Sequence, residues 1–330
     1  MSVARAALTV VLALAVLAPS LAAEGQQAAK VHRIGYLTLP SRETAGGVAN
    51  TFQGALRDLG WIAGQNVTID YRFADSRVER LPELAADLVR LRADVIVAGA
   101  NGAVAAVKNL TTTIPIVMFL AIDPVGSGLV ASLARPGGNV TGLTATAGPE
   151  IYGKQLQLLK SAFPRLLRVA IVVNRAGPTY AGAMREIDTA ARALGLQQHV
   201  AIVRDPGDFD NAFANLTAAR PDAIFVPIDS MFYQHRARLA QLAAKTRLPA
   251  MWGAREFAEA GGLMSYYTDL DDLGRRAALF VDRILRGARP TDLPVEQPTK
   301  FELVINTKTA KALGLTIAPS VLLSADRVIE

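Results

Sequence analysis

The sequence predicts an α/β protein of two doubly wound parallel-sheet lobes, joined by a hinge that the chain crosses more than once. Two observations carry this. First, one strand–helix rhythm occurs twice. Arg33-Ile34-Gly35-Tyr36-Leu37, a helix ending Leu59-Gly60, Asp94-Val95-Ile96-Val97 and Ile114-Pro115-Ile116 mark the first half. Arg168-Val169-Ala170-Ile171-Val172, a helix ending Leu194-Gly195, Asp222-Ala223-Ile224-Phe225 and Leu248-Pro249-Ala250 follow in the same order in the second. Each half reads as βαβαβαβ, the pattern of an open parallel sheet covered by helices. Second, the segment after the two repeats adds a long helix, a strand and a short helix that belong to neither. Such a tail predicts further passages between lobes, and several passages side by side make a hinge.

The first residues read as an address rather than as fold. Arg5 is a positive n-region, Ala6 to Ala18 is an apolar stretch, and Pro19-Ser20-Leu21-Ala22-Ala23 is a small-residue exit. We read 1–23 as a cleaved signal peptide and expect an exported protein in the periplasm. The first strand is Ile34 to Leu37. Phe52, Ala55, Leu56 and Leu59 then line one face of a helix, and Gly60 sits where a left-handed stop is wanted. Val67 to Tyr71 is a second strand, and Leu81, Leu84, Ala85, Leu88 and Leu91 form a helical stripe. Val95-Ile96-Val97 is short and wholly apolar, as a strand covered on both faces should be. Asn101 and Gly102 open the next helix, and Ile116 to Phe119 is the fourth strand. The first crossing is placed at 144–148, with a helix starting at Pro149-Glu150. Met184, Ile187, Ala191 and Leu194 stripe the helix paired with strand Val169 to Val173. Asp269 to Leu285 is the long helix of the tail, Phe301 to Asn306 alternates as a strand, and Thr309 to Leu313 is a short helix stopped by Gly314. The expected lobes are 32–144 plus 269–294 and 149–266 plus 295–330.

Composition excludes several functions. The 330 residues are 51% hydrophobic, so the chain can bury two cores. Its net charge of +6 is scattered, with no Lys/Arg run to mark a nucleic-acid footprint. The absence of cysteine removes disulfides, thiol catalysis, Cys-ligated metals and a lipid anchor through Cys. His32, His199 and His235 fall in no ligand spacing, and no metal is expected. No Gly-x-Gly-x-x-Gly, P-loop or Gly-x-Ser-x-Gly elbow occurs, so neither a cofactor nor a catalytic set is expected. Asp269-Leu270-Asp271-Asp272 starts a helix, where carboxylates favour the dipole.

Ligands of open parallel sheets bind beyond the carboxyl ends of the strands. That rule selects Ser41, Asn101 and Asp123 in the first lobe and Asn174, Asp229, Trp252 and Tyr266 in the second as ligand-binding candidates. Asp229 follows a buried strand and precedes a helix; it fits a counter-charge for a ligand ammonium and equally an N-cap, and one side chain can be both. Asp123-Pro124 also fits a turn start. Ser41 and Asn174 can exchange hydrogen bonds with a ligand. Asn101 fits a helix cap or a ligand contact. Trp252 and Tyr266 fit core packing or stacking on a flat ligand.

Eight stretches also look familiar: Arg33 to Leu37, Leu59-Gly60-Trp61, Ile114 to Val117, Asp123-Pro124-Val125 with Gly128-Leu129-Val130, Pro136 to Gly142, Glu259 to Tyr266, Gln297 to Asn306 and Lys308 to Leu315. On these the chain resembles the solute-binding components of ABC importers, in the family whose branches include tryptophan/tyrosine binders. The resemblance spans essentially the whole mature chain. It implies a type I periplasmic binding fold with three lobe crossings, in which Asp269 to Leu285 returns to lobe one and the last strand and helix to lobe two. It also implies a small-molecule ligand and docking onto an ABC permease in the membrane; a monomer is expected. The expected function is capture of a small organic solute, with amino acids and aromatic compounds as candidates, and its delivery to that permease. An extracytoplasmic sensing protein that feeds a receptor is the alternative. No catalysis and no nucleic acid are expected.

Overall fold

The computed structural model describes residues 31–145, 150–177 and 180–330. The expected signal peptide, Pro149 and most of the first expected crossing lie outside the described residues.

The first sheet is wholly parallel. It joins β1 (His32–Thr38), β2 (Val67–Phe73), β3 (Val95–Gly99), β4 (Ile116–Ala121) and β5 (Val140–Thr144) in the order β2-β1-β3-β4-β5. β3 is buried along its full length, as its unbroken apolar run requires. One face carries α1 (Arg42–Asp58), whose Ala49, Phe52 and Leu56 point inward. The other face carries α2 (Leu81–Arg90) and α3 (Ala100–Lys108), which bury Leu84, Leu88, Val104 and Val107.

The second sheet has seven strands: β6 (Arg168–Asn174), β7 (Gln197–Val203), β8 (Ala223–Val226), β9 (Ala250–Trp252), β10 (Met264–Thr268), β11 (Phe301–Asn306) and β12 (Arg327–Ile329), in the order β12-β11-β10-β9-β8-β6-β7. Its helices are α4 (Glu150–Ala162), α5 (Tyr180–Ala193), α6 (Phe209–Ala218), α7 (Ser230–Gln234), α8 (Arg236–Thr246) and α9 (Arg255–Glu259). The sheet departs from the expected all-parallel lobe at one step: β11 runs antiparallel to β10. β10 runs toward the hinge and β11 comes back from it, so the reversal follows from the path of the chain.

The internal repeat has a structural counterpart at its helix ends. After α1, Gly60 N donates to Arg57 O (2.9 Å) and Trp61 N to Leu56 O (2.9 Å), with Gly60 at φ +92°. After α5, Gly195 N donates to Arg192 O (3.1 Å) and Leu196 N to Ala191 O (2.8 Å), with Gly195 at φ +65°. Both are Schellman stops, which need the left-handed conformation that glycine adopts freely.

The chain returns to the first lobe through α10 (Leu270–Leu285), which packs along α1. At their contact a Cβ on Gly274 would lie 3.2 Å from Val48 O, so glycine allows the two helices to approach closely. Residues beyond α10 stay on β5: Thr144 N donates to Glu296 O (3.0 Å) and Glu296 N to Gly142 O (2.9 Å). The chain then re-enters the second lobe as β11. α11 (Thr307–Leu313) and α12 (Pro319–Leu323) precede β12. Thr268 Oγ1 donates to Ala145 O (2.7 Å), which ties the outgoing segment to the end of β5. One apolar cluster runs from Phe52 and Val281 in the first lobe to Leu156 and Ile171 in the second.

Candidate functional site

The candidate loops follow the carboxyl ends of strands in both sheets, and those of the two lobes form separate groups. In the first lobe, Ser41 caps α1: its Oγ accepts from Thr44 N (3.3 Å) and donates to Thr44 Oγ1 (3.1 Å). Asn101 does not cap its helix, which begins one residue earlier. Its amide ties the start of α3 to the loop after β4 instead, donating to Ile122 O (2.7 Å) and Ser127 Oγ (3.1 Å) and accepting from Ile122 N (2.8 Å). Asp123 is exposed, at φ +43°, and its Oδ1 accepts from Gly126 N (2.9 Å). Its carbonyl takes Ser127 N and Oγ (3.0 and 2.7 Å), so the turn reading describes it.

In the second lobe, Asn174 at the end of β6 and Asp229 after β8 come together. Asn174 Nδ2 lies 3.2 Å from each carboxylate oxygen of Asp229, and Asn174 Oδ1 accepts from Ala176 N (3.0 Å). Asp229 also caps α7, with Oδ1 accepting from Met231 N (2.8 Å) and Phe232 N (3.3 Å). Burial raises the Asp229 pKa, and the donors from Asn174, Phe232 and Met231 only partly offset this. Tyr152 on α4 is within electrostatic range. Burial first, and then the Asp229 and Glu186 carboxylates, push its phenol up to about 12.

The two aromatic candidates go elsewhere. Trp252 is 0% exposed and stacks on Phe257 (5.0 Å, 15°) in the core beneath α9. Tyr266 lies mid-strand in β10, half-buried and stacked on Phe301 (5.8 Å, 15°).

A charged cluster that the sequence reading did not assemble sits beside this edge. Arg255, opening α9, donates to Asp271 Oδ2 (2.5 Å) and lies 3.6 Å from Glu256 and 3.7 Å from Glu302. Asp271 Oδ1 accepts from Thr51 Oγ1 on α1 (2.9 Å), so the cluster spans both lobes. Burial disfavours the Arg255 charge, yet Asp271, Glu256 and Glu302 raise its pKa above the ordinary value. Burial raises Glu256 as well. Tyr233, one turn after Asp229 on α7, is coupled to Glu256 and sits well above the usual phenol range, burial being the main cause. The only sequence signal was the position of Arg255 in the loop after β9; its partners are far away in the chain.

No group of three or more His, Cys, Asp and Glu suited to a metal ion occurs among the described residues. No helix among them is long and apolar enough to cross a membrane. Among the described residues, two open surface grooves lie elsewhere, against α1 beside Trp61 and between β7 and α6 beside His199; neither includes a candidate residue.

Comparison with known proteins agrees with this architecture. A tyrosine-binding protein of Clostridioides difficile (strain R20291) is 26% identical over 264 residues, covering 80% of this chain and 75% of its own. A solved ABC domain in complex with L-Trp from Streptococcus pneumonia has 28% identity and a TM-score of 0.83, over 90% of this chain and 99% of that one. A conserved domain protein from Vibrio cholerae has 27% identity and a TM-score of 0.82, over 91% and 100%. The leucine-binding protein LivK of Thermotoga maritima, at 16% identity and a TM-score of 0.61 over 86% and 87%, shares the fold, which is that of the type I periplasmic binding proteins. The sequence model of the ABC transporter substrate binding protein family matches residues 39–329, and the chain belongs to that family.

Proposed function

We propose that the protein is the extracytoplasmic solute-binding component of an ABC importer. It captures a small amino-bearing organic solute between its lobes and delivers it unaltered to a membrane permease. The observation that carries this reading is the Asp229 carboxylate. It stands partly exposed at the carboxyl edge of a parallel sheet, desolvated and oriented by Asn174 and by the α7 backbone. A desolvated, preoriented carboxylate is a strong partner for an ammonium, because hydrogen bonds to charged groups exceed neutral ones. The tyrosine-binding relative and the L-Trp complex support aromatic amino acids as the first ligands to test. Arg5 and the apolar run that follows it support export, and the periplasm is the proposed location.

Binding of this kind is a population shift: a ligand that contacts both lobes favours the closed arrangement by its differential affinity for it. The test is a thermal-shift screen of aromatic and aliphatic amino acids, followed by calorimetry on Asp229→Ala. A ligand of the native state raises the melting temperature by linkage. Asp229→Ala should weaken the amino-acid ligand by about 1.5–3 kcal/mol, the scale of a charged hydrogen bond. An unchanged dissociation constant would remove Asp229 from the site.

A further inference from the structure

The two oxygens of Asp229 are unequally used. Oδ1 accepts from Met231 N, Phe232 N and Asn174 Nδ2, at 2.8, 3.3 and 3.2 Å. Among the described residues, Oδ2 accepts only from the shared Asn174 amide, at 3.2 Å. A carboxylate oxygen has two acceptor sites, so the free capacity lies on Oδ2. Asn174 cannot readily swing aside, because its own Oδ1 is held by Ala176 N.

The turn that follows passes directly over Oδ2. Gly177 N donates to Asn174 O (3.2 Å). A Cβ on Gly177 would stand 2.9 Å from Asp229 Oδ2, 3.3 Å from Asn174 O and 3.4 Å from Asn174 Nδ2. Gly177 is not among the residues of positive φ, so its conformation does not demand glycine. Any larger residue would instead press a methylene against Oδ2 at donor distance, where it would displace the carboxylate or cover the approach to it.

We propose that Gly177 is a specificity-determining residue: it keeps one narrow approach to Asp229 Oδ2 open, wide enough for an unsubstituted primary ammonium and too narrow for an N-methylated one. The inference rests on the reading of Asp229 as the ligand's counter-charge. A primary ammonium offers several N–H donors on a small nitrogen. Each methyl added to it removes a donor and adds bulk beside Gly177 and Asn174.

The test is calorimetry on the mature protein with L-tyrosine and L-tryptophan, their N-methyl and N,N,N-trimethyl derivatives, and their deaminated acids. The first N-methyl group should reduce affinity by roughly tenfold or more, about 1.4 kcal/mol at tenfold. Gly177→Ala should weaken the free amino acid by a similar factor and leave the weaker deaminated acid within about twofold. In an Asp229→Asn background, Gly177→Ala should add no further loss for the amine. If Gly177→Ala fails to fold, the methylation series on the unaltered protein carries the test. Equal affinity for methylated and free amines overturns the role of Gly177 and leaves the reading of Asp229 intact. An equal loss of both probe types in Gly177→Ala makes the glycine merely structural and likewise overturns it. If no amine in the series binds, the reading of Asp229 falls, and this inference with it.

Discussion

Asp229 holds two duties in one side chain. Its N-cap role stabilises α7, while its desolvation raises the pKa of the same carboxylate, so the folded protein spends stability to keep a charged acceptor ready. The sign of the linkage is fixed by the direction of that shift. Between the ordinary carboxylate value of 3.8 and the raised folded value, the native state holds a proton that the unfolded state has released. The stability contributed by this group is therefore complete at low pH and is lost as pH rises through the folded pKa. Asp229→Asn keeps a cap acceptor and removes the buried charge. Its melting temperature should exceed that of the parent at neutral pH, and the difference should vanish below about pH 4 in a melting series. Affinity for an amino-acid ligand should fall in the parent as pH drops through the raised value. Much at this scale was legible, because Asp229 follows a buried strand and opens a helix. Trp252 shows why some was not. A parallel strand covered on both faces has no polar side to mark its orientation, and only the packing of Phe257 puts the indole in the core. Gly177 was invisible for another reason: its role lies in the space it leaves beside a residue far along the chain.

At the scale of elements, local chemistry set the boundaries well. Gly60 and Gly195 end equivalent helices with the same pair of backbone hydrogen bonds, so the repeat seen in the sequence is also a repeat of helix stops. Asp269 starts α10 as its position in an acidic helix opening suggests, accepting from Asp271 N (3.0 Å) and Asp272 N (3.1 Å). Burial opposes its charge, but Lys300 Nζ at 2.9 Å and the Asp272 amide hold its pKa below the usual carboxylate range. Its contribution therefore runs opposite to that of Asp229, present above the unfolded value and lost as pH falls through the folded one. Asp269→Ala should cost about 1–2 kcal/mol, measured by urea unfolding at pH 7, and less than half of that once the pH is below its folded pKa. The direction of β11 was not legible from its own residues. An alternating segment such as Phe301–Asn306 pairs equally well either way, and the hinge path decides the orientation.

For the whole molecule, the two sheets, the long helix that returns to the first lobe and the Arg255–Asp271–Thr51 contact between lobes describe two lobes joined by repeated chain crossings, with a polar tie between them. That doubling was the clearest statement in the sequence, since repeated strand–helix units build two sheets, each with its own covering helices. The tie was not, because its members meet only after the third dimension is formed. The proposed cycle requires the lobes to move when the solute binds and to release it chemically unchanged. Small-angle X-ray scattering of the mature protein, without and then with a saturating amino acid identified in the thermal screen, reads that motion directly. A contraction of the radius of gyration with intact ligand recovered afterwards is the predicted result; identical scattering curves at proven saturation would contradict the clamp.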